Sequence, residues 1–210
     1  MVGLVLGVVR FPLILSAEIS VSMAAGTNLS VSTLAASTAA IKHLRQSNMH
    51  LRVFVVMTAT GAAGAFAGSL LTRQLPIAVL LSVIGIIVSY EAFVLIKSSR
   101  KAADGGGGAG KRASSLVEGL IGFGVGFLGG LVGLVLGSVR LPAMISVLKM
   151  DPKVAVGTNL AAASIMGAAG LAGHLLNNDV DFLVLAAMVR QPWREDTLAR
   201  DTPTGSIQGP

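Results

Sequence analysis

The feature that most constrains this chain is an internal duplication. The segment GLVLGVVRFP at residues 3–12 returns as GLVLGSVRLP at residues 133–142, with eight of the ten positions identical. A second block, GTNL, occurs at residues 26–29 and again at 157–160, in the same order. The repeated residues include Gly, Pro, Arg, Thr and Asn within apolar sequence. Such residues are costly in a membrane unless they interrupt helices around a site.

The composition defines the environment of the fold. Hydrophobic residues make up 53% of the chain, charged residues 12%, and the mean hydropathy is +0.77. Five stretches have roughly the 20 apolar residues that a helix needs to cross a bilayer; they are residues 23–41, 53–71, 76–96, 116–139 and 154–176. We therefore predict an all-α polytopic membrane protein, surrounded by the lipid bilayer of the cell membrane.

Several classes of function find no support in the sequence. The chain has no cysteine, and its three histidines lie too far apart to suggest a local metal cluster. The net charge of +6 comes with only 4% aromatic residues. The basic residues sit in loops between apolar runs, which indicates membrane orientation rather than nucleic-acid binding. There is no Walker A motif and no catalytic constellation, so we expect that the protein is not an enzyme and uses no cofactor.

The duplication divides the chain into segments. Residues 1–97 form a first repeat, and residues 98–115 a Gly, Lys and Arg-rich linker that the positive-inside rule places in the cytoplasm. Residues 116–189 form a second, incomplete repeat, followed by a polar tail at 190–210 that is predicted to be disordered. A truncated or frame-shifted gene and a genuine tail are both open interpretations. Up to four helices per repeat would make the two repeats parallel.

The repeated blocks are the candidate site. Proline should end or kink each helix, at Pro12 and at Pro142. A helix opening at the GTN block would aim free N–H groups and its positive dipole end at the break, which favours an anion. The predicted substrate-binding residues are Gly26, Thr27, Asn28, Gly157, Thr158, Asn159, Arg10 and Arg140.

Plainer explanations of the same residues stay open. The GTN block could serve only as an N-cap, and proline only as the end of a span. Arg10 and Arg140 could bind an anion or extend to lipid headgroups. Other polar side chains are expected near the membrane surface; these are Glu91, Glu118, His43, His50 and His174.

The duplicated pattern resembles the sulfite exporter TauE/SafE family of membrane permeases. The resemblance rests on a Gly-rich helix ending in Pro, followed by a helix that opens with A-x-G-T. The pattern occurs at 129–142 with 155–160, and again at 3–12 with 24–29. His50-Leu51 and Asp181-Phe182 resemble the family's entry to the third helix of each repeat.

The resemblance implies a secondary transporter for sulfite or organosulfonates, driven by a coupling ion such as H⁺ or Na⁺. The chain departs from the family in having GLVLG where G-x-G-G-G is usual, and arginine at positions 10 and 140 where apolar residues are common. The alternative is a non-transporting membrane subunit or an inactive truncated paralogue.

Overall fold

The computed structural model describes residue 14 and residues 20–44, 50–101 and 114–190. This part of the chain contains no strand, so the all-α prediction is confirmed. A 3₁₀ turn at Thr72–Gln74 extends the second helix. The seven helices of the described residues are α1 (Val21–Leu44), α2 (Leu51–Leu71), α3 (Ile77–Lys101), α4 (Ser115–Val132), α5 (Gly137–Ser146), α6 (Pro152–Leu176) and α7 (Phe182–Arg190).

Several helices have the length and composition of membrane spans. Within the described residues, Leu51–Gln74, Ser115–Val132 and Pro152–Leu176 are long and apolar enough to cross a bilayer, and Ile77–Tyr90 is a shorter apolar helix. Large apolar side chains of α3 are open to the surroundings, with Ile86 70% exposed. Such a surface is stable against lipid and unfavourable in water. The chain is a multi-pass membrane protein.

Glycines allow α2 and α4 to pack with their backbones in contact. A methyl group added at Gly126 would overlap the Gly61 carbonyl, and one added at Gly130 would overlap the Ala65 carbonyl. Interfaces of this kind gain dispersion energy because small residues let helices approach closely. Gly64, Gly68 and Gly122 make close contacts of the same kind across this interface.

The contacts give the direction of each helix. Along α2, Gly64 and Gly68 meet Phe123 and Phe127 in the same order, so α2 and α4 run parallel. The starts of these two helices also meet, because Arg52 Nη2 donates to Ser115 Oγ at 2.7 Å. Arg52 and Ser115, and with them the starts of α2 and α4, therefore lie at the same end of the molecule.

The two helices that carry the GTN blocks run antiparallel. Gly26 of α1 lies against His174 near the end of α6, and Thr33 lies against Gly167, further back along that helix. Equivalent helices of parallel repeats would point the same way. The prediction that the two repeats enter the membrane in the same direction is therefore wrong.

A hairpin in the second half explains the error. The stretch 116–139 was counted as one continuous span, but α4 ends at Val132 and Gly133 adopts φ +68°, with its N–H bonded to the Gly129 carbonyl. The chain then turns back. Leu136 lies beside Gly129, and Met144 of α5 packs in one cluster with Ile121 of α4. α5 thus runs antiparallel to α4, and the hairpin adds one change of direction to the repeat.

Pro142 does not end a helix. It lies inside α5, which continues to Ser146. The interruption comes earlier, between Val132 and Gly137, where the left-handed conformation of Gly133 is tolerated because glycine has no Cβ. Pro12, the equivalent residue in the first half, lies outside the described residues.

The buried core mixes the two halves of the sequence. One cluster joins Ile14, Ala24 and Ala25 to Val132 and to Met188 of α7. The other joins Val53 and Met57 of α2 to residues of α5 and α6, including Met144 and Ala155. α2 of the first half and α7 of the second half thus each pack against residues of the other half. The ranges 1–97 and 116–189 therefore describe repeats of sequence rather than separately packed units.

The predicted linker and tail fall largely outside the described residues. α3 continues to Lys101, into the range 98–115 that was predicted as linker, and Ser115 opens α4. Residues 102–113 and 191–210 are not described. Arg190 is the last described residue, at the end of α7.

Candidate functional site

The GTN blocks do not open their helices. α1 begins at Val21 and α6 at Pro152, so Gly26 and Gly157 lie more than one turn inside, where backbone N–H groups bond within the helix. The start of α6 is capped by Asp151, whose Oδ1 accepts from the N–H of Lys153 at 2.9 Å. The prediction that helices open at the GTN blocks is therefore wrong, and a carboxylate already caps the start of α6.

The two threonines of the blocks connect the halves. Thr158 Oγ1 accepts from the N–H of His50 at 3.1 Å, and Thr27 Oγ1 accepts from the N–H of Asp181 at 2.9 Å. His50 and Asp181 stand 131 positions apart, like the two threonines. His50 precedes α2 and caps it, because its Nδ1 accepts from the N–H of Val53. Asp181 precedes α7 and caps it in the same way, because its Oδ1 accepts from the N–H of Leu183. Both threonines are fully buried.

Asn159 and Arg140 form the most polar contact in the interior. Arg140 Nε donates to Asn159 Oδ1 at 2.6 Å, and Nη2 donates to the Asn159 carbonyl at 3.0 Å. Asn159 Nδ2 in turn donates to the Gly137 carbonyl at 3.1 Å, and Arg140 Nη1 contacts the Met166 sulfur. One asparagine therefore fixes the guanidinium and satisfies a carbonyl at the start of α5.

The charge of Arg140 has no carboxylate partner among the described residues. Its side chain is 2% exposed, so it does not extend to lipid headgroups, which was the alternative considered for it. A guanidinium has five N–H donors, and acceptors within the described residues take three of them. A buried unpaired cation is unfavourable, because burial removes its hydration without supplying an opposite charge.

A small cavity adjoins this arginine at the helix break. Its volume of about 20 Å³ is enough for a water molecule. Arg140 is its charged lining residue, and the remaining lining is apolar or glycine, from α1, α2, α4, the connection 133–136 and α6. The cavity is too small for an oxyanion, so anion binding requires these elements to separate.

The first GTN block contacts the other end of the same break. Asn28 Nδ2 donates to the Gly133 carbonyl at 2.9 Å. Its Oδ1 is buried and has no partner among the described residues, whereas the Oδ1 of Asn159 accepts from Arg140. Arg10, which the duplication pairs with Arg140, lies outside the described residues. The structure thus brings Asn28, Asn159 and Arg140 to one discontinuity.

Two polar residues lie deeper than the sequence indicated. His174 was expected at the membrane surface but is fully buried, with Nε2 2.9 Å from the Gly130 carbonyl. Glu118 was expected near a span end; it lies in the first turn of α4 but is only 3% exposed. The duplication marks His174 in the sequence, because His43 precedes it by the same 131 positions that separate the GTN blocks, so both repeats have a histidine at this position.

These features define a class of protein: a multi-pass helical membrane protein with a helix discontinuity beside a buried cation. Residues 1–190 match the sulfite exporter TauE/SafE family, so the chain belongs to that family of membrane transporters. It is also similar to "Probable membrane transporter protein YunE" of Bacillus subtilis (strain 168), at 38% identity over 73 residues. That match takes in 35% of this chain and 27% of the relative. No solved structure matches the chain.

Proposed function

We propose that the chain is a carrier of small oxyanions of the sulfite and organosulfonate class, and that Arg140 is the residue that binds the anion. The observation that carries the proposal is the fully buried guanidinium, which has no carboxylate partner among the described residues and lines a cavity. An anion entering this cavity would supply the missing opposite charge. Two donors left over from the bonds to Asn159 and Met166 match the oxygens of a sulfur oxyanion.

The surroundings of Arg140 suit a site that opens and closes. The carbonyls of Gly133 and Gly137 flank the break, and each accepts a side-chain amide, from Asn28 and Asn159 respectively. These bonds support irregular backbone at membrane depth, which is stable only where protein or water satisfies it. Because α1 and α6 run antiparallel, the two asparagines approach the break on helices that enter from opposite faces. A movement of either helix would uncover the break toward one face, as alternating access requires.

Flux measurements test the proposal. Purified protein in liposomes should move radiolabelled sulfite, and Arg140→Gln should lower that flux about tenfold to a hundredfold, because hydrogen bonds to a charged group contribute roughly 1.5–3 kcal/mol each. Arg140→Lys should retain an intermediate flux, since it keeps the charge and loses the planar fork. The matched control is Arg52→Gln, which removes an exposed arginine and should leave the flux unchanged.

A stability measurement separates lost binding from lost folding. Sulfite should raise the melting temperature of the wild type and not that of Arg140→Gln, since a ligand stabilises only a protein that binds it. If a screen of sulfite, sulfate, sulfonates and carboxylates finds no flux and no thermal shift, the carrier proposal is wrong. The alternative of a non-transporting membrane protein then takes its place. Equal flux of wild type and Arg140→Gln would exclude Arg140 as the anion site.

A further inference from the structure

We propose that His174 and Asp179 together form a buried proton-binding site, and that this proton is the coupling ion of transport. His174 is fully buried and Asp179 is 2% exposed. His174 Nδ1 faces Asp179 Oδ2 at 3.8 Å. Neither atom has a hydrogen-bond partner among the described residues. The coupling role rests on the proposed function, whereas the binding of the proton does not.

The bonding of the imidazole determines where the proton goes. Nε2 lies 2.9 Å from the Gly130 carbonyl, and a carbonyl only accepts, so Nε2 carries a hydrogen. In the neutral ring Nδ1 is then an acceptor, and it faces a carboxylate oxygen that is also an acceptor. One proton from water added to the Nδ1 lone pair turns this opposed pair into a charge-assisted N–H···O contact. The charge of the pair changes from −1 to 0, which burial favours.

Within the described part of the chain, few charged groups lie near the pair. Asp181 follows in the same connection and caps α7 through the N–H groups of Leu183 and Val184. Arg73, in the 3₁₀ turn after α2, is exposed and donates to the Asn177 carbonyl at 2.8 Å. From α1 and α4, the described contacts with the pair are made by Gly26 and Gly130, which do not titrate.

The position of the pair connects it to the anion site. Gly130 lies in the last turn of α4, just before the break at Gly133. The connection that carries Asp179 also touches α1, since a methyl group on Gly26 would overlap the Asp179 carbonyl. The N–H of Asp181 bonds to Thr27 on the same helix. Closing the Nδ1 to Oδ2 contact would therefore tighten α1, α4 and α6 against each other at one end of the break.

Nitrogen NMR of ¹⁵N-histidine protein in lipid nanodiscs tests the proton site directly. The chain has three histidines, and the signals of His174 are those lost in His174→Gln. As the pH is lowered, Nδ1 of His174 should take up a proton while Nε2 keeps its hydrogen. In Asp179→Asn the amide donates to Nδ1 without a proton, so this titration should shift or disappear. An Nδ1 that stays unprotonated, or a titration unchanged by Asp179→Asn, would overturn the inference.

Proton-driven flux tests the coupling. A gradient of one pH unit should drive about tenfold accumulation of the anion if one proton accompanies it. Asp179→Asn should abolish this accumulation while anion exchange at equal pH continues. Asp181→Asn, two positions along, is the matched control, because asparagine caps a helix as well as aspartate does. Coupled flux that survives in Asp179→Asn disproves the coupling role and leaves the carrier proposal intact. Absence of all flux counts against the carrier and the coupling together, while the NMR titration still decides on the proton site.

Discussion

The two GTN blocks share one sequence and differ in their surroundings. Asn159 contacts an arginine and a carbonyl of its own half, and all of its polar side-chain atoms are bonded. Asn28 donates to Gly133, a carbonyl of the other half, and its Oδ1 has no partner among the described residues. The adjoining threonines, by contrast, make equivalent bonds to equivalent residues. The repeated string therefore fixes a framework, and among the described residues the two asparagines differ in the groups that the surrounding helices bring to them.

The difference between the copies concerns free energy as well as geometry. The Asn159 side chain bonds both a buried cation and the Gly137 carbonyl, whereas among the described residues the Asn28 side chain bonds only the Gly133 carbonyl. Breaking a contact with a buried charge is far more costly than breaking a neutral hydrogen bond. We therefore expect Asn159 to be the more sensitive of the two asparagines to substitution.

The largest expected effect is therefore the contrast between Asn159→Ala and Asn28→Ala. We expect Asn159→Ala to lower the free energy of unfolding by about 3–5 kcal/mol, because it removes a hydrogen bond to a charged group and also leaves the buried Gly137 carbonyl without its partner. Asn28→Ala should cost about 1–3 kcal/mol, because it leaves one buried acceptor unsatisfied. Denaturation in mixed micelles measures both values. Equal losses would mean that Arg140 draws little stabilisation from Asn159.

Asn159→Asp sharpens the same comparison. The substitution gives Arg140 a carboxylate at the position of an acceptor 2.6 Å away. We expect a folded protein in which sulfite no longer raises the melting temperature, because the built-in carboxylate replaces the anion. Asn28→Asp, without an arginine partner among the described residues, should lower stability instead. A thermal shift by sulfite that survives in Asn159→Asp would contradict the assignment of the anion to Arg140.

The sequence predicted the helical membrane fold because hydropathy and length are local properties of each span. It did not predict the break at Gly133, because GLVLG is apolar throughout and any of its glycines could lie within a helix. The relative direction of the repeats depended on that break, and so it was wrong as well. The block residues were identified by repetition alone. The burial of Arg140 could not be predicted, since it depends on Asn159 and Met166 of another helix.

Gly133, at the break, and Gly85, on α3, should respond differently to the same substitution. A methyl group at Gly133 would force a side chain into φ +68° and overlap the Ala25 carbonyl. We expect Gly133→Ala to cost about 2–4 kcal/mol, from backbone strain and overpacking together. At Gly85 of α3 a methyl group meets nothing within 4 Å. Gly85→Ala should stabilise the protein by about 0.5–1 kcal/mol through helix propensity. Similar values for the two variants would mean that the break is not required for folding.

The smallest expected effect is a similarity between the halves. Thr27→Val and Thr158→Val each remove the hydroxyl that accepts from a backbone N–H at the start of a third helix. Each should cost about 1–2 kcal/mol of the free energy of unfolding, since one buried donor loses its partner. Thr27→Ser and Thr158→Ser keep the hydroxyl and should avoid most of this loss. The two losses should be similar, with that of Thr158→Val the larger where they differ, because Thr158 Oγ1 also donates to the Val154 carbonyl at 2.7 Å. A loss confined to one threonine would show that only one of the two threonine bonds between the halves stabilises the fold. The halves would then differ in their threonines as well as in their asparagines.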